Sequence, residues 1–140
     1  MLVAAAAAAL AGGCGGGAQP PTAVTLATAC DADNAGRHVV VDGYLRFPDR
    51  LRISRTTQIA MFSALGGAGD RQRVEFTIGD EPNQLERPAL QYTPTSLRVR
   101  AANGVEVTIN DRVRVTAKVA HDGSGCLLRT PQVEVLPRAS

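Results

Sequence analysis

From Val24 onward the apolar side chains recur at every second position, in short runs. Val113, Val115, Ala117 and Val119 alternate with Arg114, Thr116 and Lys118, and Arg73-Val74-Glu75-Phe76-Thr77-Ile78 repeats the pattern. Period two places one set of side chains on one face of an extended strand, whereas a helix needs spacings of three and four. Helix has little room besides. Its best stretch, Leu85 to Gln91, contains Pro88 and lies between Pro82 and Pro94, and proline removes a backbone donor and clashes with the preceding turn. The chain is expected to be all-β.

The runs can be placed one by one. His38–Arg46 reads as a strand in which Gly43 marks a bulge or a close approach. Leu51, Ile53, Ile59 and Met61 suggest one or two strands, interrupted near Thr56-Thr57. Leu97–Ala101 and Val105–Ile109 flank Asn103-Gly104, which predicts a hairpin with a type I′ turn. Arg112–Ala120 leads through a turn at His121–Gly125 to Cys126–Leu128 and Val133–Leu136, where Pro131 forces a bulge or an edge. With 140 residues there is length for one domain, and with 4% aromatic residues and no Trp the core must be aliphatic. Six or seven short strands then mean a small closed barrel or a sandwich.

Val39-Val40-Val41-Asp42-Gly43-Tyr44-Leu45 early and Val113–Val119 late resemble the paired first and late strands of an OB-type barrel. The last hairpin, through Cys126-Leu127-Leu128 and Val133-Glu134-Val135, resembles the close of small OB-like envelope proteins. The resemblance covers about 38–136 and departs from the family at 79–95, a proline-rich segment where an OB barrel usually carries a helix. An immunoglobulin-like β-sandwich is the alternative.

The first thirteen residues, Met1–Gly13, are apolar and small, too few for the roughly 20 that span a bilayer but enough for the apolar part of a secretory signal. Leu10-Ala11-Gly12-Gly13-Cys14 resembles the lipobox of bacterial lipoproteins. That resemblance implies cleavage after Gly13 and a lipid on the Cys14 thiol. Two features depart from the family: Ala11 stands where Leu is preferred, and no Lys or Arg precedes the apolar run, which implies a start upstream of Met1. The expected organisation is a signal at 1–13, a Gly/Pro tether at 14–23 and a barrel domain at 24–140. Gly15 follows the cysteine where Asp would signal inner-membrane retention, so the resemblance implies the outer membrane, facing the periplasm.

With Cys14 carrying lipid, Cys30 and Cys126 form an even pair in an oxidising compartment, where a disulfide is the default. A zinc site adding His38 and His121 lacks the short spacings of structural zinc. Asp31-Ala32-Asp33-Asn34-Ala35-Gly36 partly mimics a calcium loop, but Ala35 occupies a ligand position and Asp42 stands where a Glu should close it. A short capped turn before the first strand accounts for it better. Neither a metal nor a cofactor is expected. No nucleophile elbow, metalloprotease motif or phosphate loop occurs, and Ser124, His121 and Asp122 share one turn rather than the separate supports of a triad. No catalytic residue is assigned.

The charge is uneven. Fourteen of the fifteen basic residues are arginine, and between 46 and 73 six arginines stand against two aspartates, although the whole chain carries only +2. A net charge that small gives no footing for nucleic acid as the partner. Tyr44, Arg46, Phe47, Arg50, Arg52, Arg55, Arg71 and Arg73 form a candidate anion-binding cluster, because guanidinium forks grip carboxylate or phosphate and aromatic faces stack rings. The same arginines also fit the solvated alternation of strands. The expected function is a lipid-anchored, non-enzymatic envelope module for binding or assembly, with the membrane and an envelope protein or anionic glycan as partners. The first alternative is an OB-type binder of single-stranded nucleic acid or oligosaccharide through this cluster. The second is an envelope hydrolase. Nothing in the sequence signals oligomeric state.

Overall fold

The computed structural model describes residues 19–50 and 54–138. Eight strands occur among them: β1 (Thr22–Ala23), β2 (His38–Arg46), β3 (Thr56–Phe62), β4 (Arg71–Thr77), β5 (Val99–Arg100), β6 (Glu106–Val107), β7 (Val113–Asp122) and β8 (Gly125–Val135). No α-helix occurs in the described residues, only single 3-10 turns at Ala32–Asn34 and Pro94–Ser96. The first is the short turn expected before β2, though without the expected cap: Asp31 makes no side-chain capping bond to it.

Pairing runs β2-β3-β4-β8-β7, and β7 pairs back onto β2, so five strands close into a ring. β4 and β8 are the parallel pair; the other pairs in the ring are antiparallel. This closure makes the OB-like barrel rather than the two open sheets of the sandwich alternative, and it removes the edges that β2 and β7 would otherwise expose. The two-residue β1 lies parallel on β2, with Thr22 opposite Val39 and Ala23 opposite Val40. The last residues of the expected tether are therefore part of the sheet.

Inward positions alternate as the sequence requires. Val39, Val41, Leu45, Ile59, Met61, Val74, Phe76, Val113, Val115, Ala117, Val119 and Leu128 are all buried in one core, with Phe76 the largest of its fully buried side chains. Gly43 is inward too, and it is a close approach: a Cβ there would stand 2.3 Å from the Phe62 carbonyl oxygen. Opposite Ala117, Thr130 and Pro131 together occupy the space of one residue, between the pairs Thr116–Gln132 and Lys118–Arg129. This is the bulge that Pro131 demands, because it cannot donate to the ladder.

Three local expectations are corrected. β3 begins at Thr56, so Thr56-Thr57 open the strand and do not interrupt it, both being β-branched, with Thr57 inward and buried; Leu51 and Ile53 lie outside the described residues. The 97–109 hairpin keeps only two residues per strand. Its other edge is used by the proline-rich segment, where Glu86 N donates to Arg98 O and Arg100 N to Gln84 O. Its turn is not type I′, since Asn103 has no positive φ; Gly104 alone does (φ 83°), after a bond from its N to Ala101 O. That is the three-residue loop with glycine in the left-handed position. The segment 79–95 caps the barrel without a helix, plugging Leu85 fully into the core.

Cys30 and Cys126 are joined, with Cα atoms 6.1 Å apart at a sequence separation of 96. The bond ties the turn that follows β1, where Leu26 and Ala29 are buried, to the start of β8. A chain that makes this bond belongs in an oxidising environment. No helix among the described residues is long and apolar enough to cross a membrane.

Candidate functional site

The outer face of β2, β3 and β4 collects half of the expected cluster. Directly opposite residues on antiparallel strands share a face, so register alone defines two rows. Tyr44, Phe62 and Arg71 form one row; Arg46, Ala60 and Arg73 form the next. Ala60 is the small residue in the middle. Its missing bulk leaves a shallow depression of about 380 Å³ walled by Arg71, Gln72, Arg73 and Cys126. On the other side, Arg46 turns away from Ala60 and its Nη1 donates to the Gly66 carbonyl in the β3–β4 loop. There it joins Tyr44, Phe62, Leu65, Ile109 and Asn110 around a second cleft of about 150 Å³.

The eight candidate residues are not equivalent once placed. Arg73 is committed to the protein: its guanidinium donates to Gln58 Oε1 at 2.7 Å, Asp122 Oδ1 at 3.1 Å and the Cys126 carbonyl at 3.1 Å. Asp122 also accepts from Gln58 Nε2 at 3.1 Å and from the Ser124 backbone N–H at 2.7 Å. The Arg73 hydrogen bond, followed by that of Ser124, holds the Asp122 carboxyl down at about 2. Phe47 is not available for stacking. It is 5% exposed and packs in the core against Tyr92, ring centroids 5.7 Å apart, because the chain turns inward at the end of β2 before Pro48. Arg50, Arg55 and Arg71 are exposed, and Arg52 lies outside the described residues. The fold thus brings Tyr44, Arg46, Arg71 and Arg73 together and takes Phe47 away.

Gln58, Ala60, Phe62 and Gln72 were not singled out from sequence. The outward alternation of β3 holds three of them, but a polar or small outward residue carries no signal of its own. Asp122 drew attention only as a neighbour of His121. Its carboxylate serves Arg73, Gln58 and Ser124 instead, so the Ser124-His121-Asp122 arrangement is not assembled. His38 and His121 are exposed, and a zinc site built on Cys30 and Cys126 is not formed, since the disulfide uses both thiols. Asp42 does not complete a calcium loop. It takes a fork from Arg114, Nε to Oδ1 at 2.9 Å and Nη2 to Oδ2 at 3.1 Å, with Arg112 at 3.3 Å. That hydrogen bond raises the already high pKa of Arg114. Cys14 lies outside the described residues.

No protein-family model matches the chain, and no curated protein is similar to it. Two solved structures, OBody AM1L10 and OBody AM3L09, each bound to hen egg-white lysozyme, are 16% identical at a TM-score of 0.48. They cover 86% of this chain, and the match spans 98% and 100% of theirs. A chain described as an aspartyl-tRNA synthetase from Leishmania major Friedlin is 10% identical over 90% of this chain, with a TM-score of 0.50. That last likeness bears on the fold alone, and this chain matches only 23% of the synthetase's length.

Proposed function

We propose that this chain is a lipid-anchored module of a bacterial cell envelope that binds or assembles with a partner and does no chemistry of its own. The observation that carries the reading is the cysteine arithmetic. With Cys30 and Cys126 joined, Cys14 is the single cysteine left over, and it stands where the lipobox-like run puts the acylated residue. The outer membrane is the destination implied by Gly15. Expression of the full chain in a Gram-negative host with a labelled fatty acid tests this. The wild type takes up label and fractionates with membranes, whereas Cys14→Ser accumulates as an unlabelled precursor. Unchanged processing of Cys14→Ser refutes the anchor.

A second reading is favoured by the Ala60 depression. Arg71 walls it and is exposed, Arg46 stands directly opposite Ala60 with its guanidinium turned to Gly66, and OB barrels use this face and its loops for ligands. An anionic glycan fits the fork chemistry of these arginines. Retention on a heparin column that falls with salt, and is lost in Arg46→Ala/Arg71→Ala, supports it. Retention of the double variant equal to wild type removes it. Single-stranded DNA serves as the competing probe, separating glycan from general polyanion binding.

A further inference from the structure

We infer that the β3–β4 loop, residues 63–70, is a membrane-contact element that seats the barrel on the bilayer holding its lipid anchor. The inference rests on the anchoring proposed above and adds an orientation to it. β1 is parallel to β2, so the chain traced back from Thr22 leaves toward the His38 end of β2. β3 is antiparallel to β2, so the chain traced forward from Phe62 leaves in that same direction. The anchored segment and the β3–β4 loop therefore project from one end of the barrel. They are also neighbours: Pro21, Ala23 and Val24 line one groove together with Ser63.

Lengths agree with contact. Cys14 and Gln19 are five positions apart, so an extended chain lets this end stand no more than about 18 Å from the lipid attachment. Ser63 N donates to Asp70 O at the base of the loop. The six residues beyond, three on each side, reach about 10 Å from that base, back toward the level of Thr22. Composition points the same way. Ala64-Leu65-Gly66-Gly67-Ala68-Gly69 has no charged side chain, and Leu65 is 57% exposed beside the cleft it lines with Tyr44 and Phe62. At its base exposed Arg71 and Asp70 stand side by side, and the Arg46 guanidinium is turned onto the Gly66 carbonyl. The loop's own side chains between 64 and 69 are uncharged, so the contact proposed for it is apolar and centred on Leu65.

The test uses the full chain, processed and acylated in a bacterial host and reconstituted into vesicles of phosphatidylethanolamine and phosphatidylglycerol. An environment-sensitive fluorophore is placed at Leu65→Cys or, in a second protein, at Val105→Cys on the exposed β5–β6 loop. A lipid-borne quencher is expected to dim the probe at 65 at least twofold and leave the probe at 105 unchanged, equally in low and high salt. An acylated protein whose probe at 65 stays in water like that at 105 overturns the seating alone. Protein that takes up no acyl label overturns the anchor and the seating together. Quenching at 65 that disappears in high salt overturns the apolar basis and assigns the contact to the arginines.

Discussion

Two hairpins leave the same end of the barrel and are built in opposite ways. The β7–β8 hairpin closes in a tight turn at Gly123-Ser124 and is fastened twice, by the Cys30–Cys126 bond and by Asp122 on Arg73 and Gln58. The β3–β4 hairpin spends eight residues on its loop, three of them glycine, and is fastened by one backbone bond at its base and by Arg46 on Gly66. One hairpin supplies stability and the other supplies surface. A loop rich in positive-φ glycines gains little from being held. A turn that anchors 96 residues of chain gains a great deal.

The largest effect expected from this contrast is on the disulfide. Cys30→Ala/Cys126→Ala should lower the unfolding free energy by about 4–5 kcal/mol, through the chain entropy returned to the unfolded state. Urea denaturation of wild type with and without reductant, beside the double variant, checks it. A loss under 1 kcal/mol would mean that the barrel alone holds this hairpin. Next comes the joint between β2 and the second hairpin. Gly43→Ala puts a methyl against the Phe62 backbone oxygen, which cannot swing away as a side chain would, and should cost about 2–3 kcal/mol by the same measurement.

Asp122 sharpens the comparison through pH. Its carboxyl is held at about 2 in the folded protein, below the ordinary 3.8, so its ionised form favours folding. That contribution is complete above the ordinary value and is lost as pH falls through 4 toward 2. Asp122→Asn should therefore unfold more readily than wild type at pH 6, with the gap closing at pH 2. Melting temperatures across that range give the answer, and a gap that does not narrow would take Asp122 out of the network. The group is partly solvated, so salt should shrink the gap.

How much of this was legible depends on how local each interaction is. Strand positions were readable because alternation repeats within six residues, and Gly43 because a glycine inside Val39–Leu45 has no other use. The Cys30–Cys126 bond was readable from parity and compartment. Arg73 was not, since its partner Asp122 lies 49 positions away and nothing in either neighbourhood names the other. Phe47 looked like a stacking platform because one aromatic before a proline has no period to reveal which way it faces. The hairpin around Asn103-Gly104 was overextended for a related reason. Its strands are limited by hydrogen bonds to residues 84–86, a segment whose prolines made it look like loop.

The smallest effect expected in solution is at Leu65, and it is the one that most directly opposes the two hairpins. Leu65 is 57% exposed on a loop that makes few contacts, so Leu65→Ser should change unfolding free energy by no more than about 0.5 kcal/mol. On a membrane the same change should matter more, because it replaces the apolar side chain proposed to meet the lipid with a hydroxyl. Limited proteolysis of the acylated protein on vesicles separates the two settings. Cleavage within 63–70 should be slow in wild type and fast in Leu65→Ser, while both are cut equally fast in detergent, where no bilayer covers the loop. Equal rates on vesicles would place the loop in water and leave the barrel held by its tether alone.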